Sequence, residues 1–257
     1  EIAQCLVGSE MCIRDSIGID VCASSMSTYH YARKTLGEFV RKKYKVKDIA
    51  FGALNEQFIR EYQSYIEVKC GYSNQTSRHH LALLKRICRI AYKEGFSERY
   101  HFLHFKIPKQ KETTPKALSR EDFEKLRDLE IPEKRRSLVL TRDLFLFACY
   151  AGTAYADTIS ITRENLFTDD EGSLWLKYRR KKNELTARVK LLPEAIALIE
   201  KYRDDLRETL FPNQLYSTLR ANMKILRVLA GLTTELVYHM GSCLLYTSPS
   251  PRDTERS

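Results

Sequence analysis

The chain has 257 residues, of which 43% are hydrophobic, and a formal net charge of +10. This length suffices for one large or two ordinary domains, and no apolar run approaches the ~18–20 residues that span a bilayer. The seven cysteines include no Cys-x-x-Cys pair and are odd in number, which argues against a zinc site or a disulfide framework and favours a reducing, cytoplasmic setting.

The positive charge is concentrated in the first half of the chain. Residues 17–112 hold 18 Lys or Arg against nine Asp or Glu, whereas residues 113–240 hold 22 against 19. A basic protein of this kind commonly meets a polyanion, of which nucleic acid is the most frequent. A basic surface kept only for solubility is the alternative.

The two ends, 1–16 and 241–257, differ in character from the rest. Neither has a helical or a strand period, and EMCIRDS and LLYTSPSPRD resemble translated sequencing-adapter sequence. A native disordered tail is the alternative. We expect neither end to belong to the fold, and we assign no function to Cys5, Cys12 or Tyr246. The first residues also lack the basic start of a signal peptide.

The polar, Lys-rich and Pro-flanked stretch 108–115 has the composition of a linker, which predicts a first domain at 17–110 and a second at 116–240. Three helices are predicted before it, the clearest carrying an apolar stripe (Leu81, Leu84, Cys88, Ala91). The predicted caps are Ser27 or Thr28 for the first helix, Asn55 for the second and Ser73–Asn74 for the third, which Gly95 ends.

Three basic residues of the third helix, Arg78, Lys85 and Arg89, share one face. Such a face can contact backbone phosphates, which give affinity without sequence information. A merely solvated face is the alternative.

The second domain is predicted to combine helices with one β-hairpin. Alternating residues in 174–191 predict two strands about a polar turn. The predicted helices begin at Ser119, run over 142–150 to an end near Gly152, begin again at Pro193, and run last from about Gln214 to Ala230. The fold class is therefore mainly α, with a helical first domain and an α+β second domain that holds a small hairpin.

Four segments in this order resemble the tyrosine recombinase (phage integrase) family, and in particular its Bacteroidetes transposon-integrase branch. They are GYSNQTSRHHLALLKRICRIAYKEGF, FACYAGTAYADTISIT, RRKKNELTARVKLLPEAIALI and AGLTTELVYHM. The resemblance covers residues from about 24 to 240. It implies a SAM-like core-binding domain followed by a catalytic domain.

The resemblance implies DNA strand exchange without a metal or another cofactor. In the family a tyrosine attacks a DNA phosphate and forms a 3′-phosphotyrosyl link. This chemistry needs cations and donors on the phosphate oxygens, a general acid for the 5′-hydroxyl and the nucleophile. The family supplies two arginines, a hairpin lysine, one or two histidines and the tyrosine.

Lys182 matches the hairpin lysine of the family, and Lys181 beside it is a further candidate DNA contact. A lysine at a hairpin tip can reach a phosphate as a mobile point charge. The alternative is an ordinary solvated basic turn. Asn183 and Lys190 depart slightly from the family pattern.

His239 matches the histidine of the family's His-x-x-Arg box, but the chain has Ser242 where that box requires arginine. The nucleophile is expected beyond residue 240, so we expect this chain to be C-terminally incomplete and catalytically inactive. A structural role is the alternative for His239.

The first family arginine falls at Ala154, which carries no charge. Arg142, twelve residues earlier, is our candidate substitute. Its alternative is a helix-start residue paired with Asp143 or solvent. Asp157 is assigned a structural role in the turn.

The expected partner is double-stranded DNA, on which the intact parent is expected to form a homotetramer, with no membrane association. A non-catalytic DNA-binding regulator is the alternative function, although a helical regulator has no need of the hairpin followed by His239. An RNA-binding protein is a weaker alternative, because no aromatic-rich strand motif is present.

Overall fold

The structure is a computed structural model that describes residue 6 and residues 26–111, 118–204 and 206–241. The chain divides into two units, unit 1 (1–113) and unit 2 (114–257). Helices dominate both units and one three-stranded sheet lies in unit 2, which confirms the mainly α fold class. Within the described ranges, no helix is long and apolar enough to cross a lipid bilayer.

The described part of unit 1 contains three α-helices and a short 3-10 helix (Phe51–Ala53): α1 is Met26–Tyr44, α2 is Glu56–Ser64 and continues as a π-helical turn (Tyr65–Lys69), and α3 is Asn74–Lys93. The Asn55 side chain caps α2 by accepting the N–H of Phe58 at 2.8 Å. Ser73 caps α3 through the N–H of Thr76 at 3.3 Å. The cap prediction for α1 was wrong, since Ser27 and Thr28 lie inside the helix.

Aromatic rings form the centre of unit 1. The Phe39 ring lies 5.3 Å from the rings of Phe58, Tyr62 and Tyr65, measured between centroids. The predicted apolar stripe of α3 is buried against this cluster. Leu6 is also buried there and donates its N–H to the Ile49 carbonyl at 2.9 Å, although no part of the first sixteen residues was expected to join the fold.

Unit 2 is built around α5 (Arg136–Ala151), whose buried residues include the run Leu144–Ala148. This helix begins six residues before the predicted start at Arg142. The other helices are α4 (Arg120–Arg127), α6 (Tyr155–Thr158), α7 (Pro193–Lys201) and α8 (Tyr216–Leu229).

Helix α8 begins two residues later than predicted because the Gln214 side chain is buried in contact with α5. Its Oε1 atom accepts the Thr141 hydroxyl at 2.9 Å, and its Nε2 atom donates to the Ser137 carbonyl at 3.0 Å. These two bonds hold Gln214 against α5, so Gln214 lies outside α8 and the helix begins after it.

The sheet is antiparallel in the order β1 (Leu166–Thr168), β2 (Leu174–Arg179) and β3 (Thr186–Lys190). Leu176 pairs with Val189, and Leu176 and Tyr178 are buried on the core face, as the alternation predicted. The sequence analysis missed β1, because three residues are too few to show a strand period.

Candidate functional site

The turn that follows α5, residues 152–158, joins the parts of unit 2 that the sequence singled out; we call it the α5 turn. Gly152 ends the helix with φ +64°, a left-handed conformation that glycine adopts without strain, and donates its N–H to the Ala148 carbonyl at 2.8 Å. Ala154 is exposed, whereas Thr153, Asp157 and Thr158 are buried.

The tip of the β2–β3 hairpin is attached to the α5 turn by one hydrogen bond. The backbone N–H of Lys181 donates to Asp157 Oδ1 at 2.9 Å. Asp157 is only 4% exposed, so this bond to a carboxylate is shielded from water. The side chains of Lys181 and Lys182 are exposed.

Bonds within the hairpin fix the shape of its tip. Glu184 adopts a left-handed conformation (φ +58°) and donates its N–H to the Arg180 carbonyl at 2.8 Å. The Arg180 N–H donates to the Leu185 carbonyl at 2.9 Å, and the Arg179 guanidinium pairs with the Glu184 carboxylate at 2.6 Å. Lys182 therefore lies in a short turn whose two ends are both held.

The segment before His239 is attached to the α5 turn from another side. The buried Tyr238 hydroxyl donates to the Leu144 carbonyl at 2.9 Å and lies 3.0 Å from the Thr158 hydroxyl oxygen. Its ring packs edge-on against the rings of Phe145 and Tyr155. His239 follows at once and is exposed.

The α5 turn therefore has two consecutive residues with different attachments. Asp157 holds the backbone beside Lys182, and Thr158 contacts the side chain beside His239. Two exposed lysines and an exposed imidazole thus belong to segments anchored at one turn. Such a set of cations and donors can bind an anion such as a phosphate group.

Burial alters the acidity of the tyrosines at this site. Burial raises the pKa of the Tyr178 hydroxyl, and the nearby Asp157 carboxylate raises it further. Burial also raises the pKa of Tyr238 well above its usual range. Both side chains therefore remain neutral phenols at physiological pH.

Arg142 lies near the middle of α5, more than two helical turns before the α5 turn. Ten residues separate it from Gly152, which is about 15 Å along a helix. Its Nε atom donates to Asp143 at 3.0 Å and its Nη1 atom to the Leu129 carbonyl at 2.6 Å. Asp143 is buried and also binds Lys201 at 2.6 Å. The guanidinium is thus part of an ionic cluster with the buried Asp143 and with Lys201.

The three basic residues of α3 differ in their exposure. Arg78 is half-buried and donates to the Pro108 carbonyl, while Asn74 nearby accepts the N–H of Lys111 at 3.1 Å. Arg78 therefore holds residues 108–111 along the start of α3. Lys85 is half-buried and Arg89 is exposed.

Another basic surface lies on α1. Four basic residues surround Gly37 in a shallow concavity of about 230 Å³, and none of the described residues that line it is a carboxylate. We call it the α1 face; its basic members are His30, Arg33, Lys34 and Arg41. The α1 face was not predicted from the sequence. Its basic residues nevertheless follow the three- and four-residue spacing that is typical of one face of a helix.

Residues 19–107 match the model of the phage integrase SAM-like domain, which covers α1 to α3. Solved structures extend the likeness over both units. Lambda integrase (residues 75–356), as a dimer bound to a COC′ core site, is 15% identical with a TM-score of 0.74, and the match covers 97% of this chain and 92% of that one. Unit 1 therefore contains a phage integrase SAM-like domain, and the chain as a whole has the fold of lambda integrase.

Two further structures share the fold of this chain. The XerH site-specific recombinase bound to difH substrate is 18% identical with a TM-score of 0.66, covering 94% of this chain and 74% of that one. The Tn1549 transposon integrase (residues 82–397) in complex with circular-intermediate DNA is 12% identical with a TM-score of 0.64, covering 99% and 90%. No curated protein matches the sequence.

Tyr238 was not predicted as a residue of the site. A tyrosine next to the candidate histidine carried no signal of its own, because its partners Leu144 and Thr158 lie 94 and 80 residues away in sequence. Long-range pairings of this kind follow from the fold and from no local pattern.

Proposed function

We propose that this chain binds double-stranded DNA and presents Lys182 and His239 to a DNA phosphate. The observation that carries the proposal is the attachment of both segments to adjacent residues of the α5 turn, Asp157 and Thr158. Lambda integrase, XerH and the Tn1549 integrase, which share the fold, are described as bound to DNA.

In the proposed reaction of the intact parent, a tyrosine hydroxyl attacks the phosphorus and the 5′-oxygen leaves, so one phosphodiester bond is exchanged for a phosphotyrosyl bond. Lys182 stabilises the added negative charge as a mobile cation or protonates the leaving oxygen, and His239 donates a hydrogen bond to a phosphate oxygen. Lys181, one residue away, contacts the DNA backbone.

We propose that this chain binds DNA without forming the covalent link. Ala154 and Ser242 stand where the family pattern calls for its two arginines. The adjacent Tyr238 is not available as a nucleophile, because its hydroxyl is buried and bonded to Leu144 and Thr158. For Arg142, the ion pair with Asp143 supports the structural alternative.

In unit 1 the proposal includes backbone phosphate contacts from Lys85 and Arg89 of α3 and from the α1 face. Arg78 contributes by ordering residues 108–111 and carries a charge that adds to the local potential. Lambda integrase is also described as a tetramer bound to a Holliday junction, which supports assembly of the intact parent as a homotetramer on DNA.

The test has two arms that use the full chain. In the first, fluorescence anisotropy follows binding to a labelled duplex between about 50 and 200 mM salt, where a protein with several phosphate contacts loses affinity by orders of magnitude. In the second, a duplex nicked near a candidate cleavage site is incubated with the chain and resolved on a denaturing gel. We expect salt-dependent binding and no covalent adduct.

Absence of binding at low salt would contradict the DNA proposal, and an adduct would contradict the proposal that the chain does not cleave. A duplex RNA of the same length is the matched control. Stronger binding to RNA than to DNA would favour the RNA alternative.

A further inference from the structure

A wide groove crosses unit 2 between the start of α5, the end of α7 and residues 212–215. Its volume is about 1010 Å³, which accommodates several side chains. Leu215 is 72% exposed within it. The remaining apolar lining is half-buried and consists of Ile131, Val139, Leu140 and Pro212.

The rim of this groove is mainly basic. Lys134 and Arg136 are exposed along it, and Glu133 is the one carboxylate among the lining residues that the structure describes. The other two basic lining residues, Arg142 and Lys201, are engaged with the buried Asp143. The groove therefore offers an apolar floor and an outward-facing positive charge.

A loop after α7 has the opposite character; we call Asp204 and residues 206–208 the acidic loop. Leu206 is 99% exposed. Arg207 is folded back onto the protein, where its Nε atom donates to the Thr209 carbonyl at 3.0 Å and its Nη2 atom to the Tyr202 carbonyl. The Asp204 carboxylate also lies 3.6 Å from the Arg207 guanidinium, so the exposed groups of the described loop residues that face no such partner are Leu206 and Glu208.

Hydrogen bonds hold the backbone of Asp204 and Leu206 in place. The Arg163 guanidinium donates to the Asp204 carbonyl oxygen at 2.6 Å, and the Leu206 N–H donates to Asp204 Oδ1 at 3.1 Å. Because the Leu206 N–H is already bonded, less backbone conformational entropy is lost when a partner buries the leucine.

We propose that the acidic loop of one copy inserts Leu206 into the groove of a second copy of this chain. The leucine meets the apolar floor, and Glu208 meets Lys134 and Arg136 on the rim. Because α7 ends at the groove and the acidic loop follows within three residues, both features lie at one end of unit 2. Two copies related by a twofold axis therefore exchange loops reciprocally. This association requires no DNA and does not depend on the proposed function.

Sedimentation velocity of the full chain without DNA tests the pairing. An interface of one loop and one groove on each side falls in the small, transient class, so the dimer is expected to form progressively as concentration rises. Leu206→Ser is expected to raise the dissociation constant about tenfold or more, because it removes a buried apolar side chain. The matched control is Leu185→Ser, which removes a leucine 64% exposed at the hairpin and leaves association unchanged.

A charge exchange tests the orientation of the pairing. Glu208→Lys alone and Lys134→Glu with Arg136→Glu alone are each expected to weaken self-association, since like charges then meet. An equimolar mixture of the two variants restores it, because both loop–groove contacts regain opposite charges. Circular dichroism verifies that these surface variants remain folded.

The proposal is overturned if the chain sediments as a monomer at every soluble concentration, which would leave the groove to another partner. It is equally overturned if Leu206→Ser behaves like Leu185→Ser, or if the mixed variants associate no better than each variant alone.

Discussion

At the scale of residues, the α5 turn owes its role to two neighbouring side chains with different partners. Asp157 is nearly fully buried and accepts a backbone N–H from the hairpin. Thr158 lies against the Tyr238 hydroxyl and itself donates to the Ala154 carbonyl at 3.0 Å. Removal of one partner leaves the other, a buried polar group, without a hydrogen bond. The resulting loss of stability is larger than the net contribution of the bond itself.

Asp157→Ala is therefore expected to destabilise unit 2 by about 1–3 kcal/mol, because the Lys181 N–H loses its acceptor. Asp157→Asn keeps an acceptor oxygen and is expected to cost less. Denaturant unfolding followed by the fluorescence of Trp175, the single tryptophan and a member of β2, reports this unit. Equal stability of Asp157→Ala and the unmodified chain would show that the bond does not hold the hairpin.

Tyr238 predicts a dependence of stability on alkaline pH. Burial raises its pKa in the folded protein above the unfolded value of about 10. Its neutral form is favoured in the folded state, so its contribution is fully present below about pH 10 and is lost as the pH rises above that value. Thermal melts between neutral and strongly alkaline pH measure the loss.

Tyr238→Phe is expected to cost about 1–3 kcal/mol at neutral pH, because Leu144 and Thr158 lose a buried partner, and to flatten the alkaline fall. Tyr31→Phe, at a position 64% exposed, serves as the control and is expected to change neither. An unaltered alkaline profile in Tyr238→Phe would contradict the assignment.

At the scale of elements, sequence periodicity predicts the long helices and the β2–β3 hairpin. It does not predict the contacts that attach these elements to one another. The stripe of α3 and the caps Asn55, Ser73 and Ser119 could be read locally, since each depends on residues within one helical turn. The short strand β1 could not be read in this way. Arg142 shows the same limit, because the buried Asp143 also recruits Lys201 from α7, 58 residues away.

Substitutions can distinguish the α1 face from the other basic residues of unit 1. Alanine at both Lys34 and Arg41 of the α1 face is expected to lower DNA affinity and to reduce the magnitude of the salt slope by roughly one for each lost phosphate contact. The control with the same charge change is Lys47→Ala with Lys106→Ala, two exposed positions of unit 1 outside that face. Anisotropy titrations compare the two pairs; equal losses would mean that only net charge matters.

At the scale of the whole molecule, each unit has its own core and its own basic features. Unit 1 carries the SAM-like domain with the α1 face, and unit 2 carries the anchored hairpin and the segment of His239. Under the proposed function, a long DNA duplex is one ligand that both units contact, since each unit contributes its own positive charge.

Hydrogen exchange of the full chain with and without duplex DNA tests most directly whether the segments anchored at the α5 turn form one DNA-contacting site. The account predicts slower exchange on DNA binding in the hairpin tip (180–185), in the segment before and including His239, and in α1. The backbone amides of the acidic loop are expected to exchange at the same rate with and without DNA when the protein is dilute. Protection confined to unit 1, with the hairpin tip and the His239 segment unaffected while DNA is bound, would contradict the account.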